Sequence, residues 1–383
     1  LPSACYVWQR AWDGPGKDAV AEAPASVTGL AFLGAEIDFD SSGNASVAWP
    51  NWDAHALKLS GRPVSVVLRV GAFLANDQSI PLIRRTAAEL LQRLYASGIP
   101  PQELQIDYDC PQFSLRGYCV LLSQLRAELA PLPVRPTVLP SWLSEPDFVT
   151  LAKQSGAYVL QVHATQKPRI DAAETALCET DDARKWVEKA ARIGVPFRVA
   201  LPTYTYLVAF SPSGALLGIE AEGARRAWPP GTVLRAFRPD PARVAALIRD
   251  WIKDRPAKLV GLLWYRLPVS TDTLNWHWST LAAVIQGRPP LPKLQLEQSG
   301  ASPTDLVLVN SGEADAALPA RIVATSASSI AAADGIGGYH AETSPTRTLF
   351  LRDEQAAIDR IPPGGRRAIG WLRSNAKLSI QYQ

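Results

Sequence analysis

The sequence contains no methionine, only four cysteines and only four histidines in 383 residues. The cysteines form no C-x-x-C pair and the histidines no H-E-x-x-H motif, so the spacing predicts no zinc site and no other metal centre. A disulfide is the alternative, but we expect buried free thiols. The thiols in question are Cys5, Cys110, Cys119 and Cys178.

Long apolar runs and an excess of one charge are also missing. No apolar stretch reaches the roughly 18 residues that a membrane helix needs, so no membrane-spanning segment is expected. The chain has 39 basic and 36 acidic residues, a net charge of +3, and no basic run. This balance predicts no nucleic-acid partner. No Walker pattern occurs, and no cofactor is expected.

Apolar segments of strand length alternate with helical patterns along residues 1–287. Eight such repeats predict a parallel sheet, and their total length fits a closed (β/α)8 TIM barrel. The alternative, an open doubly wound sheet, usually carries a Gly-rich phosphate turn after its first strand, which Ala11–Gly16 lacks. The predicted strands are Cys5–Arg10, Val27–Phe39, Val64–Gly71, Glu103–Asp109, Val134–Pro140, Tyr158–Ala164, Phe197–Thr203 and Leu259–Leu267.

The pattern changes twice along the chain. Tyr204–Glu222 interrupts the repeat after the seventh strand and reads as an inserted hairpin that turns at Ser211–Gly214. Residues 288–293 form a Pro-rich linker. Short strand-like runs between turns follow over residues 294–383 and predict a small β-sandwich of immunoglobulin-like type.

The fourth predicted strand carries two carboxylates near its end. Leu104, Ile106 and Tyr108 alternate with Gln105, Asp107 and Asp109. The apolar set should meet the surrounding helices, which turns both aspartates into the barrel. Active sites of TIM barrels lie at the C-terminal ends of the strands. Asp107 and Asp109 are therefore candidate catalytic residues, with a buried stabilising network of ion pairs as the alternative.

Other strands place polar or aromatic side chains at the same end of the barrel. Charges are costly to bury without partners, so their convergence predicts a site. Glu36 on the second strand is a further candidate catalytic carboxylate. The candidate ligand-binding residues are Trp8, Arg10, Arg69, Trp142, Gln161, His163, Tyr204, Trp264 and Tyr265. Of these, His163 could equally be a core histidine, and Trp264 and Tyr265 could equally be barrel packing.

Leu104–Asp109 resembles the fourth strand of family 18 chitinase-like glycosidases, whose motif ends D-x-D-x-E. The chain as a whole is more similar to an uncharacterised bacterial family of glycoside-hydrolase-like barrels. That similarity rests on Tyr6–Arg10, the Asp107/Asp109 segment, Leu139–Leu143 and Gln161–His163. It implies a glycoside hydrolase that acts on a polysaccharide or oligosaccharide. Together with the start at Leu1 rather than Met, it also implies a periplasmic or secreted protein with its leader removed.

The chain departs from the family 18 motif at the position of the catalytic acid. Pro111 stands there, so the substrate-assisted chitinase mechanism is not supported. A glycosidase otherwise needs two carboxylates that flank the bond. We therefore assign Asp109 as the general acid, Asp107 as the neighbour that raises its pKa by repulsion, and Glu36 as base or nucleophile.

Two further functions fit the same sequence. The first is a carbohydrate-binding protein on a degenerate barrel, in which Pro111 marks lost catalysis. The second is a structural protein of the cell envelope that uses the barrel and the β-domain as docking surfaces. A mouth plugged by Tyr204–Glu222 would favour this last function, and the oligomeric state is left open.

Overall fold

The computed structural model describes residues 1–40, 42–71, 79–163, 174–221, 227–353 and 360–382. The chain divides into two compact units. The first comprises Leu1–Trp278 with Ile285–Arg288, and the second comprises Ser279–Val284 with Pro289–Gln383. In the part of the chain that is described, no helix has the length and apolar character needed to cross a membrane.

In the described residues, the first unit contains a closed parallel barrel of eight strands and five further strands. Its strands are β1 (Ser3–Val7), β2 (Gly29–Phe39), β3 (Ala45–Ala48), β4 (Val64–Val70), β5 (Leu104–Asp107), β6 (Val134–Val138), β7 (Tyr158–Gln161), β8 (Glu174–Ala176), β9 (Phe197–Pro202), β10 (Tyr206–Phe210), β11 (Leu216–Glu220), β12 (Val233–Arg238) and β13 (Leu259–Tyr265). The barrel order is β1-β2-β4-β5-β6-β7-β9-β13, and β13 returns to pair with β1. The predicted TIM barrel is confirmed.

Helices follow most of the barrel strands. They are α1 (Gly14–Ala21), α2 (Ala54–Leu59), α3 (Ser79–Ala96), α4 (Leu115–Leu129), α5 (Pro146–Ser155), α6 (Thr180–Ile193), α7 (Pro241–Lys253) and α8 (Trp278–Ile285), with short 3-10 turns at Gln112–Ser114 and Pro140–Trp142. Helix α7 begins where the sequence predicts, because the Asp240 side chain accepts hydrogen bonds from the amides of Ala242 and Arg243. The sequence reading missed α1 and α2.

The interruption after the seventh barrel strand is a hairpin, as predicted. Strands β10 and β11 pair antiparallel across a turn at 211–215, and β12 and β8 extend them to a four-stranded sheet. Val208, Phe210 and Phe237 pack into a small core of their own, with Tyr206 stacked on Phe237. The predicted ends of this hairpin at Glu222 and of the sixth strand at Ala164 lie outside the described residues.

The second unit is all-β. Its strands are β14 (Leu294–Ser299), β15 (Thr304–Asn310), β16 (Ala316–Ala317), β17 (Arg321–Ser326), β18 (Ile330–Gly335), β19 (Tyr339–Ser344), β20 (Arg347–Arg352), β21 (Arg360–Ile361), β22 (Arg366–Ser374) and β23 (Leu378–Tyr382). They form sheets in the orders β14-β15-β22-β18 and β19-β20-β17-β23, with a small β16-β21 pair. Side chains from both four-stranded sheets, including Leu306, Ile322, Phe350 and Leu372, share one apolar core. This is a two-sheet sandwich.

Candidate active site

A cavity of about 440 Å³ opens at the C-terminal end of the barrel strands. Residues on or directly after seven of the eight barrel strands line it, at the usual position of the active site in this fold. The lining residues are Tyr6, Trp8, Arg10, Arg69, Asp107, Asp109, Thr137, Gln161, His163, Ala200, Tyr204, Thr205, Ala221, Tyr265 and Arg266.

Asp107 and Asp109 stand together in this cavity. The Gln161 Nε2 lies 3.3 Å from an oxygen of each carboxylate and donates to both. The Thr137 hydroxyl donates to the same Asp107 oxygen at 2.7 Å. On the opposite face of the strand, Tyr108 packs against Tyr118 of α4. The predicted alternation along β5 is confirmed, because the apolar face meets a helix and the acidic face meets the cavity.

Both aspartates have a raised pKa. Burial, followed by the charge of Asp109, raises the pKa of Asp107 to about 6. The cavity walls limit the solvent around the more exposed Asp109 carboxyl and raise its pKa too, although Arg69 and Gln161 oppose the shift. The sequence reading had Asp107 raising the pKa of Asp109. In the structure, the charge of Asp109 instead raises the pKa of Asp107, which is the more deeply buried of the two.

Glu36 is buried in an ion-pair network beside the cavity. Arg10 donates to its two oxygens from Nε at 2.6 Å and Nη2 at 2.9 Å, and Arg69 donates from Nη1 at 3.1 Å. Arg69 also lies 3.5 Å from Asp38. Burial alone would raise the pKa of Glu36, but the hydrogen bonds and charges of the two arginines outweigh it and lower the pKa.

Glu36 is therefore not a free carboxylate that faces a ligand. It is 2% exposed and does not line the cavity. Its predicted role as base or nucleophile is corrected: its lone pairs are taken up by Arg10 and Arg69, which it holds in place. Arg10 and Arg69 themselves do line the cavity, as predicted.

A one-residue irregularity in β2 orients Glu36. The register of β2 against β4 shifts between Leu33 and Ala35, so that Glu36 pairs with Arg69. Gly34 lies at the shift, where a Cβ atom would come within 2.5 Å of the Val66 side chain. Only glycine fits at this bulge without movement of its neighbours.

Aromatic rings build one wall of the cavity. Trp8 contacts Tyr265 at 5.1 Å between ring centroids, and Tyr265 contacts Tyr204 at 5.3 Å. His163 stacks on Tyr265 at 6.0 Å. Burial lowers the pKa of His163 to about 4, so its ring is neutral at pH 7. Its Nδ1 atom is buried and has no hydrogen-bond partner among the described residues.

A polar chain crosses the barrel interior beneath the cavity. The Tyr6 hydroxyl donates to Gln105 Oε1 at 2.6 Å, and Gln105 Nε2 donates to Glu103 at 2.8 Å. Arg198 pairs with Glu103 in turn. These partners satisfy the buried polar groups and fix the floor on which the cavity residues stand.

Two predicted binding residues lie elsewhere. Trp264 is fully buried and packs against Trp276 on the outer side of β13, because its neighbour Tyr265 takes the inward position. Trp142 is 1% exposed and contacts Tyr118 of α4. Both predictions of ligand contact are wrong, and both residues are packing residues. Trp8, Gln161, His163, Tyr204 and Tyr265 all line the cavity.

Sequence reasoning missed Tyr6, Thr137 and Arg266 as cavity residues. Tyr6 lies two residues before Trp8, so period-two spacing could have found it, whereas the sequence analysis assigns no inward face to the strand that carries Thr137. Arg266 pairs with Asp272 at 2.7 Å, a contact made by a loop that no pattern indicates.

Two further findings concern metal binding and the state of the cysteines. No group of histidine, cysteine or acidic side chains in the described ranges could hold a metal ion. All four cysteines are free, and three of them are buried, which agrees with the expected free thiols.

Comparison with solved structures supports the architecture. The chain resembles the spore cortex-lytic enzyme SleL of Bacillus megaterium QM B1551 with a TM-score of 0.52 and 13% identity, over 75% of this chain and 74% of that one. It resembles SleL of Bacillus cereus with a TM-score of 0.51 and 10% identity, over the same shares. These likenesses show the TIM-barrel fold.

Family models cover most of the chain. No curated protein matches the sequence. A domain of unknown function, DUF8456, matches residues 293–375 in the second unit. A second model, the domain of unknown function DUF3142, matches residues 60–270, which is more than half of the chain. The chain belongs to the DUF3142 family.

Proposed function

We propose that the protein is a glycoside hydrolase that uses the Asp107/Asp109 pair as its proton donor. The observation that carries this proposal is the position of the pair: two carboxyls with raised pKa, in a cavity with aromatic walls, at the C-terminal end of a TIM barrel. Protonation of a leaving oxygen needs a carboxylic acid whose pKa is raised toward the working pH.

The two aspartates have different surroundings and therefore different roles. Asp107 accepts from Thr137 and Gln161 through one oxygen, which leaves its other oxygen to carry a proton. Asp109 is the more exposed carboxyl and is the group that meets the glycosidic oxygen. Burial raises the pKa of Asp107 to about 6 and also raises the pKa of Asp109, so both carboxyls take up a proton at a higher pH than a free aspartate does.

The described cavity holds no second carboxylate opposite this pair, since Glu36 is engaged by two arginines. An inverting or retaining mechanism with two flanking carboxylates therefore lacks its second member in this part of the chain. The group that attacks the anomeric carbon is therefore a water molecule, which supplies the new hydroxyl and releases its proton to solvent. Trp8, Tyr204 and Tyr265 offer flat apolar rings for the sugar faces.

Binding without turnover is the second candidate. Pro111 occupies the position of the catalytic acid in the D-x-D-x-E motif, and it favours a barrel that keeps its sugar site and has lost hydrolysis. The aromatic wall and the aspartate pair would serve such a protein equally well.

The test is a saccharide panel that scores binding and new reducing ends for the wild type, Asp109→Asn and Asp305→Asn. Asp305 is exposed in the second unit and serves as the matched control. We expect reducing ends from the wild type and from Asp305→Asn, with a loss of at least a hundredfold in Asp109→Asn. Binding by all three without product would establish the second candidate, and no binding by any would contradict both.

A further inference from the structure

The arginines and the aspartates that line the cavity differ in whether they have partners of opposite charge. Arg10 and Arg69 are paired with Glu36 and Asp38, and Arg69 bridges those two carboxylates. On the eighth strand, Arg266 is paired with Asp272, and these two side chains are 14% and 5% exposed. Each cavity-lining arginine therefore already has a carboxylate partner.

The two cavity aspartates have none. In the described part of the chain, no lysine, arginine or histidine forms an ion pair with Asp107 or Asp109; their contacts are a hydroxyl and an amide. Arg69 acts on them only at longer range, and His163 is neutral. The Asp107 carboxyl has little contact with solvent and no counter-charge, which is unfavourable for its ionised form, so a bound cation would stabilise the pair.

The aromatic rings of the cavity wall also favour a bound cation. Trp8, Tyr204 and Tyr265 line the cavity together with the aspartates, and a cation within about 6 Å of such ring faces is attracted by their quadrupoles. His163 also lines this cavity, and its buried Nδ1 has no hydrogen-bond partner among the described residues. Carboxylates, aromatic rings and an unpartnered imidazole thus belong to one cavity.

We propose that the saccharide bound in this cavity is an amino sugar with a free ammonium group, which the Asp107/Asp109 pair and the surrounding rings recognise. This inference rests on the proposed saccharide function and narrows its substrate class. The unacylated amine is what distinguishes the ligand, because an N-acetylated or unsubstituted sugar of the same size brings no charge to the unpaired carboxylates. The arginines do not repel the ammonium strongly, since Glu36, Asp38 and Asp272 already compensate them.

The test is calorimetric binding of three tetrasaccharides of matched β-1,4 linkage: the glucosamine tetramer, the N-acetylglucosamine tetramer and cellotetraose. The proteins are the wild type, Asp107→Asn, Asp109→Asn and the control Asp305→Asn. We expect the wild type and the control to bind the glucosamine tetramer at least tenfold more tightly than the other two, and this preference to weaken with added salt.

In both site variants we expect the ratio of affinity for the glucosamine tetramer to affinity for cellotetraose to fall from at least ten toward one. A purely structural role of the aspartates would instead weaken all three ligands together. Asp109 is the more exposed of the two, so Asp109→Asn keeps the test valid if Asp107→Asn does not fold. Equal or tighter binding of a neutral tetramer, or binding of none, would overturn the inference.

Reducing ends measured in the same samples separate this inference from the proposed function. Cleavage of the N-acetylglucosamine tetramer without preference for the glucosamine tetramer would leave the hydrolase standing and overturn the ammonium site. Preferential binding of the glucosamine tetramer without cleavage would support the ammonium site and contradict hydrolysis.

Discussion

At the scale of single residues, the proposed hydrolysis depends on whether the cavity aspartates are protonated. Asp107 has a pKa of about 6 because it is buried and lies beside a second carboxylate, while Arg69 acts on the pair only from a distance. Asp107 is therefore mainly protonated below that pH and mainly ionised above it. This behaviour leads to tests of both rate and stability.

The first prediction concerns the pH dependence of hydrolysis. The proposed hydrolysis needs a protonated carboxyl, so kcat/KM should fall as the pH rises through about 6, the pKa of Asp107. A pH–rate profile between pH 4 and 9 measures this. A rate that instead rises through pH 6 would mean that the pair acts as a base.

The second prediction concerns the stability of Asp107→Asn. The folded-state pKa of Asp107 lies above its unfolded value, so its contribution to stability is complete at low pH and is lost as the pH rises through about 6. Asparagine avoids that loss. We expect the variant to be more stable than the wild type at pH 8, by on the order of 1–3 kcal/mol, and the difference to shrink toward pH 4. Thermal unfolding at both pH values measures it, and a variant less stable at pH 8 would refute the proposed cost of the charge.

The third prediction compares two glutamates with bidentate arginine partners. Glu36 is buried, whereas Glu297 pairs with Arg366 on the surface. Glu36→Gln removes the charge from a buried acceptor of three hydrogen bonds, whereas the arginines left without it are partly exposed to solvent, so we expect a loss of about 1–3 kcal/mol. Glu297→Gln should cost less than about 1 kcal/mol. Denaturant unfolding of both variants measures the contrast, and equal losses would show that Glu36 does not act as the shared anchor.

At the scale of elements, the alternation along strands explains both the correct and the wrong predictions. Along β5, the two-residue alternation correctly predicted that Asp107 points into the barrel, because a strand without a bulge keeps this alternation. Along β13 it places Tyr265 in the cavity and Trp264 outside, although both are large aromatics. Composition alone could not tell them apart without the register of the strand.

The position of Glu36 could not have been predicted from the sequence in the same way. The bulge at Gly34 shifts the pairing of β2 by one residue, and a one-residue shift reverses which side chains face inward. The two arginines that then take up Glu36 come from β4 and from the segment after β1. Such contacts between distant segments leave no local pattern in the sequence.

A pair of variants on β13 tests the assignment of faces. We expect Tyr265→Ala to weaken saccharide binding about tenfold, which corresponds to ~1.4 kcal/mol, with the fold retained. Trp264→Ala should instead lower the free energy of unfolding by about 3–5 kcal/mol. Binding and unfolding measured on both variants provide the comparison. A Trp264→Ala protein that is stable but fails to bind would reverse the two roles.

At the scale of the whole molecule, the sequence was sufficient for the architecture and for most of the cavity. Eight strand–helix repeats predicted the barrel, and strand-end positions predicted Trp8, Arg10, Arg69 and His163 as cavity residues. The resemblance to glycoside-hydrolase-like barrels agrees with the DUF3142 match and with the SleL likeness in fold. The chemistry depends instead on burial and on ion pairs, which appear only when the chain is folded.

The central claim is that the cavity beside Asp107 and Asp109 binds a saccharide. A crystal structure of Asp109→Asn soaked with the glucosamine tetramer, and separately with the N-acetylglucosamine tetramer, tests it most directly. The account predicts a sugar ring between Tyr265 and the aspartate pair, with a polar atom of the sugar within hydrogen-bond distance of Asp107. Sugar bound only outside this cavity, or bound nowhere, would contradict it.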